Sequence, residues 1–227
     1  MFIKDPLQVR GPVTKLCLVL TFCFLYVAGV CGQTPAPTAH DAAKPDPFES
    51  MIAKLKGGDT KIDFKALRMA SVDSNSEDSG QPDRDEYKKA VEAFNSKKYK
   101  AAISASEKAL EQGYLGIDAH MLIAVAYSES GNTEKFDFHK AVYLGLVNSI
   151  LDSGDGKSAK TAYIVIDVAE EYALLRALGL DRGSQALRTE GGHKYDLLTV
   201  TDPKNNDKKE IWFNIDAVWK GYEKIFK

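Results

Sequence analysis

The chain has 227 residues, is 44% hydrophobic and carries a formal net charge of −2. This nearly balanced charge gives no indication of electrostatic attraction to nucleic acid. All three cysteines (Cys17, Cys23 and Cys31) lie near the amino terminus, so the rest of the chain lacks disulfides, catalytic thiols and thiolate metal ligands. A domain without these features must be stabilised by its hydrophobic core.

The first 32 residues have the three parts of a secretory signal peptide. Lys4, Arg10 and Lys15 form a basic lead, residues 16–30 are an almost unbroken apolar run, and Val30-Cys31-Gly32 suits a signal-peptidase site. The apolar run is shorter than the ~20 residues that span a bilayer. We therefore expect cleavage, export to a periplasmic or extracellular compartment, and no membrane insertion afterwards. A retained or lipidated segment would instead tether the protein to a membrane.

The next segment, residues 33–47, is rich in proline and alanine and predicts a disordered linker. A single domain is expected over residues 48–227. It begins with two short amphipathic helices on either side of Gly57-Gly58, followed by a turn-rich loop over residues 71–83.

Residues 85–151 have the strongest helical pattern in the chain. Apolar or small residues recur at helical spacing between Tyr99 and Leu110, and Gly113 is placed where a left-handed residue would end that helix. A further helix is expected over residues 118–129. Ser130-Gly131-Asn132 then breaks the chain, and Asn132 or Thr133 can cap a helix that continues to about Leu151.

These helices resemble the tetratricopeptide repeat. The segment KKYKAAISASEKAL has the pattern of that repeat's second helix, with Tyr99, Ala102 and Ala109 at its characteristic positions. Ala102 and Phe136 are 34 residues apart, which is the period of the repeat. The pattern then departs, because Phe136 replaces a small residue and no proline closes either repeat. The resemblance implies a helical surface that could bind a protein or peptide partner.

Residues 160–227 predict a different architecture. TAYIVIDV is a continuous apolar run typical of a buried central strand, and AEEYALLRALG follows as a helix that ends at Gly179. SQALRTE and HKYDLLTVT alternate with period two around Gly191-Gly192, which predicts a hairpin. EIWFNID forms a third strand with Ile211, Phe213 and Ile215 on one face, and Asp216 can cap a last helix.

Together these elements predict an α+β fold in which tetratricopeptide-like hairpins pack with a small, mainly antiparallel sheet and a C-terminal helix. The segments SGDGKS, TAYIVIDVAEEYALLRALGL, GHKYDLLTV and WFNID, with DFKALRMA near the start, resemble an uncharacterised bacterial family, the domain-of-unknown-function family 4919. This resemblance supports the fold and export and implies no activity, ligand or catalytic residue.

The Gly-Lys-Ser tail of a phosphate loop occurs at Gly156–Ser158. The full motif requires a glycine at position 151, which is Leu151, and a strand before the loop rather than a helix. We therefore interpret the segment as a structural turn fixed by Asp155, Lys157 and Ser158. Backbone amides in such a turn could still hold a small anion or a partner's carboxylate.

Two acidic residues, Glu170 and Glu171, follow Asp167 at the end of the apolar run. They could divide general acid and base work if their environments separate their pKa values. The alternative is that Asp167 caps the helix and the glutamates favour its first turn through the helix dipole. His120, His139 and His193 are scattered and predict no metal site. No catalytic constellation and no cofactor motif is found.

Trp212 and Asn214 lie opposite the apolar face of the third strand and could bind a glycan or a peptide if that face is open. The function favoured by these observations is a non-catalytic protein-interaction or cell-envelope-associated module. The alternative is a small-ligand-binding protein or an enzyme that uses a cleft between the helical and sheet halves, with Asp155, Lys157, Glu170 and Glu171 nearest the cleft.

Overall fold

The computed structural model describes residues 46–225 and confirms an α+β fold. The predicted signal peptide and the linker up to residue 45 lie outside the described residues. Eight α-helices are found in the described part of the chain: α1 (Pro47–Lys56), α2 (Phe64–Ser71), α3 (Arg84–Asn95), α4 (Tyr99–Ala109), α5 (Ile117–Glu129), α6 (Thr133–Leu151), α7 (Val168–Ala177) and α8 (Asp216–Ile225). The strands of this part are β1 (Tyr163–Ile164), β2 (Asp181–Glu190), β3 (His193–Asp202) and β4 (Asp207–Asn214).

The two predicted amphipathic helices, α1 and α2, are both capped by aspartates. Asp46 accepts a hydrogen bond from the Phe48 amide at 2.8 Å, and Asp63 accepts one from the Ala66 amide at 2.9 Å. Helix α1 begins at Pro47, the last residue assigned to the linker, where a missing amide hydrogen costs nothing. The apolar faces of both helices enter the main core.

Helices α3 to α6 are connected by short turns, and each packs against the next. Lys97 adopts a positive φ of 57° in the turn between α3 and α4. Asn132 caps α6 by accepting from the Lys135 amide at 3.1 Å, as one of the two sequence alternatives predicts. Small residues such as Ala102 and Ala126 are fully buried between these helices. The tetratricopeptide character of this region stays a prediction.

Gly113 does not end α4, which stops at Ala109 with Leu110 at its cap. That sequence prediction is wrong. Gly113 instead pairs with Ser79 in an isolated β-bridge. A Cβ atom at this position would lie 2.2 Å from the Pro82 nitrogen, so the glycine is required by close approach of two backbone segments.

The sheet is mixed, with the strand order β1-β4-β3-β2. Strands β2, β3 and β4 are antiparallel neighbours, and β1 pairs parallel with β4. The predicted hairpin is confirmed, because Gly191 and Gly192 take the positive φ angles of 58° and 86° that a two-residue turn of this type needs. Ile211, Phe213 and Ile215 are buried together, also as predicted.

The apolar run TAYIVIDV is not a central strand. Only Tyr163 and Ile164 pair with β4, and they lie at one edge of the sheet. The Val165 amide still donates to the Asn214 carbonyl of β4 at 3.2 Å, and the next amide, of Ile166, points to the outer side of this edge and donates to the Glu170 side chain at 2.9 Å. Asp167 then caps α7 through the Ala169 amide, as predicted.

One large core joins α1, α2, α6 and α7 to the inner face of the sheet, and two smaller clusters hold α3, α4 and α5 together. The first smaller cluster contains Ala102, Ile103 and Ala126, and the second contains Leu110, Ala119 and Ile123. Within residues 46–225, we find no helix with the length and apolar character required to cross a bilayer.

Candidate functional site

A buried ion pair fixes the helical half of the domain to the sheet half. Arg68 of α2 is 1% exposed and Glu170 of α7 is 6% exposed. The guanidinium donates through Nε to Glu170 Oε1 at 2.7 Å and through Nη2 to Oε2 at 2.5 Å. This bidentate geometry is the strongest arrangement available to an arginine and a carboxylate.

The remaining hydrogen-bonding capacity of both partners is also used. Arg68 donates to the Ser149 hydroxyl at 3.2 Å and to the Ile164 carbonyl at 2.9 Å. Glu170 Oε2 accepts from the Ile166 amide. The pair therefore sets the positions of α2, α6, β1 and the start of α7 relative to one another, and the charges are buried without being left unpaired.

A cavity of about 680 Å³ opens beside this ion pair, at the junction between the helical half and the sheet half. We call it the junction cavity. Its walls come from the loop between α2 and α3, the start of α3, residues 115–119 at the start of α5, the first turns of α7, and α8. The volume falls within the range of about 300–1,000 Å³ that is usual for small-molecule sites.

The loop wall of the junction cavity is held by hydrogen bonds within the loop and to the α4–α5 connection. Ser79 donates to the Ser76 carbonyl at 2.6 Å, and the Tyr114 amide donates to the Asp78 carbonyl at 3.1 Å. The Ser79–Gly113 bridge adds a third attachment. This long loop is consequently a formed wall rather than a loose connection.

The opposite wall carries an ion pair and a protonated tyrosine. Arg176 of α7 donates to both carboxylate oxygens of Asp118 in α5, at 3.0 Å for the Nε–Oδ1 bond. Burial, assisted by the Asp118 carboxylate and opposed by the Arg176 cation, raises the pKa of Tyr87 to about 12. The Tyr87 hydroxyl is thus a permanent hydrogen-bond donor at neutral pH.

The first turn of α5 also lines the junction cavity. Gly116 occupies its N-cap position, so no side chain caps the helix. Arg84 lies at the start of α3 on the same cavity and makes no ion pair among the described residues. The cavity therefore combines a mainly apolar lining with a few donors: the Arg84 guanidinium, the Tyr87 hydroxyl and the first amides of α5.

Of the six residues proposed from sequence, only Glu170 lines the junction cavity. Asp155, Lys157 and Glu171, which the sequence also suggested for a cleft between the halves, are not among its lining residues. Asp155 instead accepts from the Lys157 amide at 3.0 Å. Ser158 shares a hydrogen bond of 2.9 Å with Thr161, which is consistent with the interpretation of this segment as a structural turn.

That turn is also tied to the sheet. Gly156 has a positive φ of 67°, and its carbonyl accepts from the Trp212 amide at 2.8 Å. Trp212 itself is half-buried, and its ring meets the ring of Tyr195 edge-on at a centroid distance of 5.7 Å. It lines neither the junction cavity nor the second cavity that is described below.

Glu171 is fully buried, and its carboxyl oxygens accept no hydrogen bond from the described residues; when protonated, the group can donate one to the neighbouring Asp196 carboxylate. Burial, together with the nearby carboxylates of Asp196 and Asp167, raises the pKa of Glu171 to about 9. The side chain is therefore protonated at neutral pH. Asp196 is buried as well and accepts from the Gln185 side chain at 2.6 Å.

The sequence reasoning missed a pair of buried histidines. His120 of α5 and His139 of α6 bring their Nδ1 atoms to 3.0 Å. Their positions on either side of the Ser130–Asn132 turn could have predicted this contact, because an antiparallel helical hairpin brings such positions together. His193, by contrast, is exposed and lies 2.6 Å from the Asp216 carboxylate.

Asp216 is the first residue of α8 rather than its cap. Its carboxylate accepts a hydrogen bond from the Lys194 amide at 2.8 Å and so joins α8 to β3 instead of capping α8. The sequence prediction of a cap at this residue is wrong, although the helix begins where expected.

Comparison with known proteins identifies a family but no relative with a described function. Neither a curated protein nor a solved structure matches the chain. A family model does match it, over residues 49–224 and hence over nearly all of the described structure. The resemblance noted in the sequence is confirmed: the chain belongs to the family described as Domain of unknown function (DUF4919).

Proposed function

We propose that this domain is a non-catalytic binding module and that the junction cavity is its binding site. The observation that carries the proposal is the cavity of about 680 Å³ between the two halves of the fold. A buried, bidentate ion pair at its edge and a hydrogen-bonded loop on one side hold the walls in place. Such a preformed, largely apolar concavity with few polar groups is the usual form of a small-ligand site.

The donors around the cavity favour a ligand with an apolar body and one hydrogen-bond-accepting group. Tyr87 offers a hydroxyl that stays protonated, and Arg84 offers a guanidinium without an ion-pair partner among the described residues. The acceptor of the ligand would meet these two side chains, and its apolar body would contact residues such as Leu115, Ala173 and Val218.

The carboxylates at the cavity favour binding over catalysis because each already has a structural partner. Glu170 is held by Arg68, Asp118 by Arg176, and Asp167 by the Ala169 amide. A general base needs a carboxylate that is available to a substrate proton. The sequence alternative of an enzyme acting in this cleft is therefore the less favoured use of the same cavity.

The proposal retains two expectations from the sequence. The amino-terminal signal pattern favours export, so the ligand would come from a periplasmic or extracellular medium or from the cell envelope. The helices α3 to α6 offer a further surface for a protein or peptide partner, and this use stays a prediction.

A fluorescent probe tests the site directly. Anilinonaphthalene sulfonate has an apolar ring system and one anionic acceptor group, which matches the proposed ligand chemistry. We expect the full chain to bind it at one saturable site. Ala169→Phe should weaken binding by about tenfold or more, because Ala169 lines the cavity while its own side chain is exposed at the start of α7.

Ala101→Phe is the matched control, since Ala101 is an exposed helical alanine that lines neither cavity. It should leave probe affinity unchanged. Equal probe affinity in both variants would place the probe elsewhere and would contradict the proposed site.

A further inference from the structure

A second cavity lies in the helical half and shares no lining residue with the junction cavity. It has a volume of about 650 Å³ and lies between the end of α1, the end of α4 and the first turns of α6. We call it the histidine cavity, because His139 lines it. Its wall also contains four exposed carboxylates: Glu107, Glu111, Glu134 and Asp137.

The tautomer of His120 is fixed by its surroundings. Its Nε2 lies 2.8 Å from the Tyr114 carbonyl oxygen, which can only accept, so Nε2 carries the hydrogen. The ring is fully buried, and burial lowers the pKa of His120 to about 4. In the neutral ring that results, Nδ1 has a lone pair and no hydrogen.

This arrangement determines the tautomer of His139 in turn. The two Nδ1 atoms are 3.0 Å apart, so His139 must donate through Nδ1 to the lone pair of His120. Burial and the neighbouring His120 and Lys135 lower the pKa of His139 to about 3, and the ring is neutral. Its Nε2 is then an acceptor, and it makes no hydrogen bond among the described residues.

His139 is 6% exposed and its ring is held in place by aromatic neighbours. Tyr127 stacks on it at a centroid distance of 5.8 Å, and Phe138 meets it edge-on at 5.1 Å. The Tyr127 hydroxyl donates to Glu107 at 3.0 Å, which connects the ring to the acidic rim. A rigid, nearly buried ring thus keeps one unused acceptor atom at a cavity with an acidic rim.

We propose that the histidine cavity binds a primary ammonium group, with His139 Nε2 as its hydrogen-bond acceptor. The four carboxylates supply negative charge around the entrance. Two lysines, Lys56 and Lys135, also line the cavity; Lys56 is paired with Asp78 at 2.5 Å, and the four carboxylates outnumber the two cations. An ammonium ion offers three donors and no acceptor, which is complementary to an environment of imidazole and carboxylate acceptors.

A metal ion would be the other natural ligand of an imidazole lone pair. The residues that the structure describes contain no group of three histidine, cysteine, aspartate or glutamate side chains placed to hold one. The carboxylates are too widely distributed to complete a coordination sphere with His139, whereas a flexible organic cation needs only one good acceptor and a negative potential.

Nitrogen-15 NMR of the histidine side chains in the full chain provides the test. Butylammonium and tetramethylammonium carry the same charge, but only butylammonium has N–H donors. We expect butylammonium to shift the His139 Nε2 resonance towards that of a hydrogen-bonded acceptor and to leave His193 unchanged. Tetramethylammonium at the same concentration should not shift Nε2. Equal shifts from both cations, or no shift from either, would overturn the proposal.

Variants test the His139 acceptor and the acidic rim of the cavity separately. His139→Asn keeps an N–H donor for His120 and removes the Nε2 acceptor, so it should abolish saturable butylammonium binding. If that variant fails to fold, Glu134→Gln combined with Asp137→Asn serves instead, because both side chains are exposed. This double variant should weaken butylammonium binding by about fivefold or more. Glu92→Gln is the control, because Glu92 is exposed and lies outside the cavity, and it should have no effect on binding.

Two further titrations identify the source of the ammonium group. A lysine-containing tetrapeptide that binds more tightly than spermidine would assign the site to a peptide side chain, and the reverse order would assign it to a free polyamine. Saturable zinc binding at His139 Nε2 without any butylammonium binding would contradict the proposal in favour of a metal. Ala169→Phe should not change any of these affinities, so the result is independent of the junction cavity.

Discussion

Two neighbouring glutamates on α7 show how differently one fold can treat the same buried group. Glu170 and Glu171 are both almost inaccessible to solvent. Glu170 is paired with Arg68, which donates two hydrogen bonds to its carboxylate. Glu171 has no cation beside it and lies next to the Asp196 carboxylate, and its raised pKa keeps it neutral. The protein therefore buries one carboxyl group by pairing it and the other by protonating it, and the two should respond oppositely to mutation.

The largest effect is expected from Arg68→Met. This change leaves Glu170 buried without its cation and removes the donors to Ser149 and to the Ile164 carbonyl. The free energy of unfolding should fall by about 3–5 kcal/mol, the usual cost of breaking a buried ion pair. Urea denaturation at pH 7 measures it. Lys65→Met, on the exposed side of the same helix, is the control and should change stability by less than about 0.5 kcal/mol.

Replacing both partners sharpens this result. Arg68→Met combined with Glu170→Leu removes the charge as well as its partner, so the double variant should be more stable than Arg68→Met alone by about 2 kcal/mol. Destabilisations that simply add would mean that the two side chains act independently, contrary to the geometry of the pair.

Glu171→Gln should raise the free energy of unfolding, which is the opposite of the effect expected for Arg68→Met. The pKa of Glu171 is about 9 in the folded protein and 4.5 in the reference state. Between these values the folded state holds a proton that the unfolded state releases, so the stability of the native protein falls as pH rises from 4.5 to 9. Glutamine has the same shape and does not ionise. The variant should be more stable than the native protein at pH 7, by up to about 3 kcal/mol.

Thermal or urea unfolding of the native protein and of Glu171→Gln at pH 5, 7 and 8.5 checks this prediction. The difference between the two should grow with pH. A constant difference across this range would show that Glu171 titrates normally and is not held protonated. Gln185→Glu is not a suitable control, because Gln185 donates to Asp196 within the same cluster.

The histidine pair provides a second, smaller pH effect of opposite slope. The pKa values of His120 and His139 are lowered to about 4 and about 3, from a reference value of 6.5. Their stabilising effect is complete above pH 6.5 and is lost as pH falls towards the folded-state values. In a Glu171→Gln background, stability should decrease by about 2 kcal/mol between pH 6.5 and 5.5. His139→Asn should reduce this slope by about half, measured by urea unfolding.

The smallest effect is expected from Asp118→Asn. Arg176 and Asp118 form an ion pair that is partly open to solvent, with side-chain exposures of 57% and 28%. Such pairs contribute about 0–1 kcal/mol because water already screens the charges. Urea unfolding should show a loss of less than about 1 kcal/mol, and 0.5 M salt should reduce it. A loss comparable to that of Arg68→Met would mean that exposure does not distinguish the two pairs.

The sequence predicts the helices of this fold well because their signals are local. Asp167 and Asn132 cap helices as expected, and Gly191-Gly192 forms the predicted hairpin turn. In each case the information lies within a few residues: a capping side chain, a glycine that tolerates positive φ, or an apolar stripe at helical spacing. The alternation in β4 is equally local, and its buried face is confirmed.

The parts that the sequence does not predict depend on distant partners. Glu170 has the sequence context of a solvated residue in a first helical turn, and its partner Arg68 is 102 residues away. The apolar run before α7 has the composition of a central strand, yet only Tyr163 and Ile164 pair with β4, and they lie at one edge of the sheet. The junction cavity is likewise assembled from five separate segments, none of which has a motif of its own.

Strand β2 has a consequence for self-association. It forms one edge of the sheet, and nine of its ten residues are exposed. A regular exposed edge is a template for pairing with another chain. Here an extra residue between Arg182 and Gln185 interrupts the register, and Gly183 allows the strand to approach the Thr199 carbonyl closely. This bulge, together with the charged side chains of Arg182 and Arg188, makes the edge irregular and a poor template for pairing with another strand.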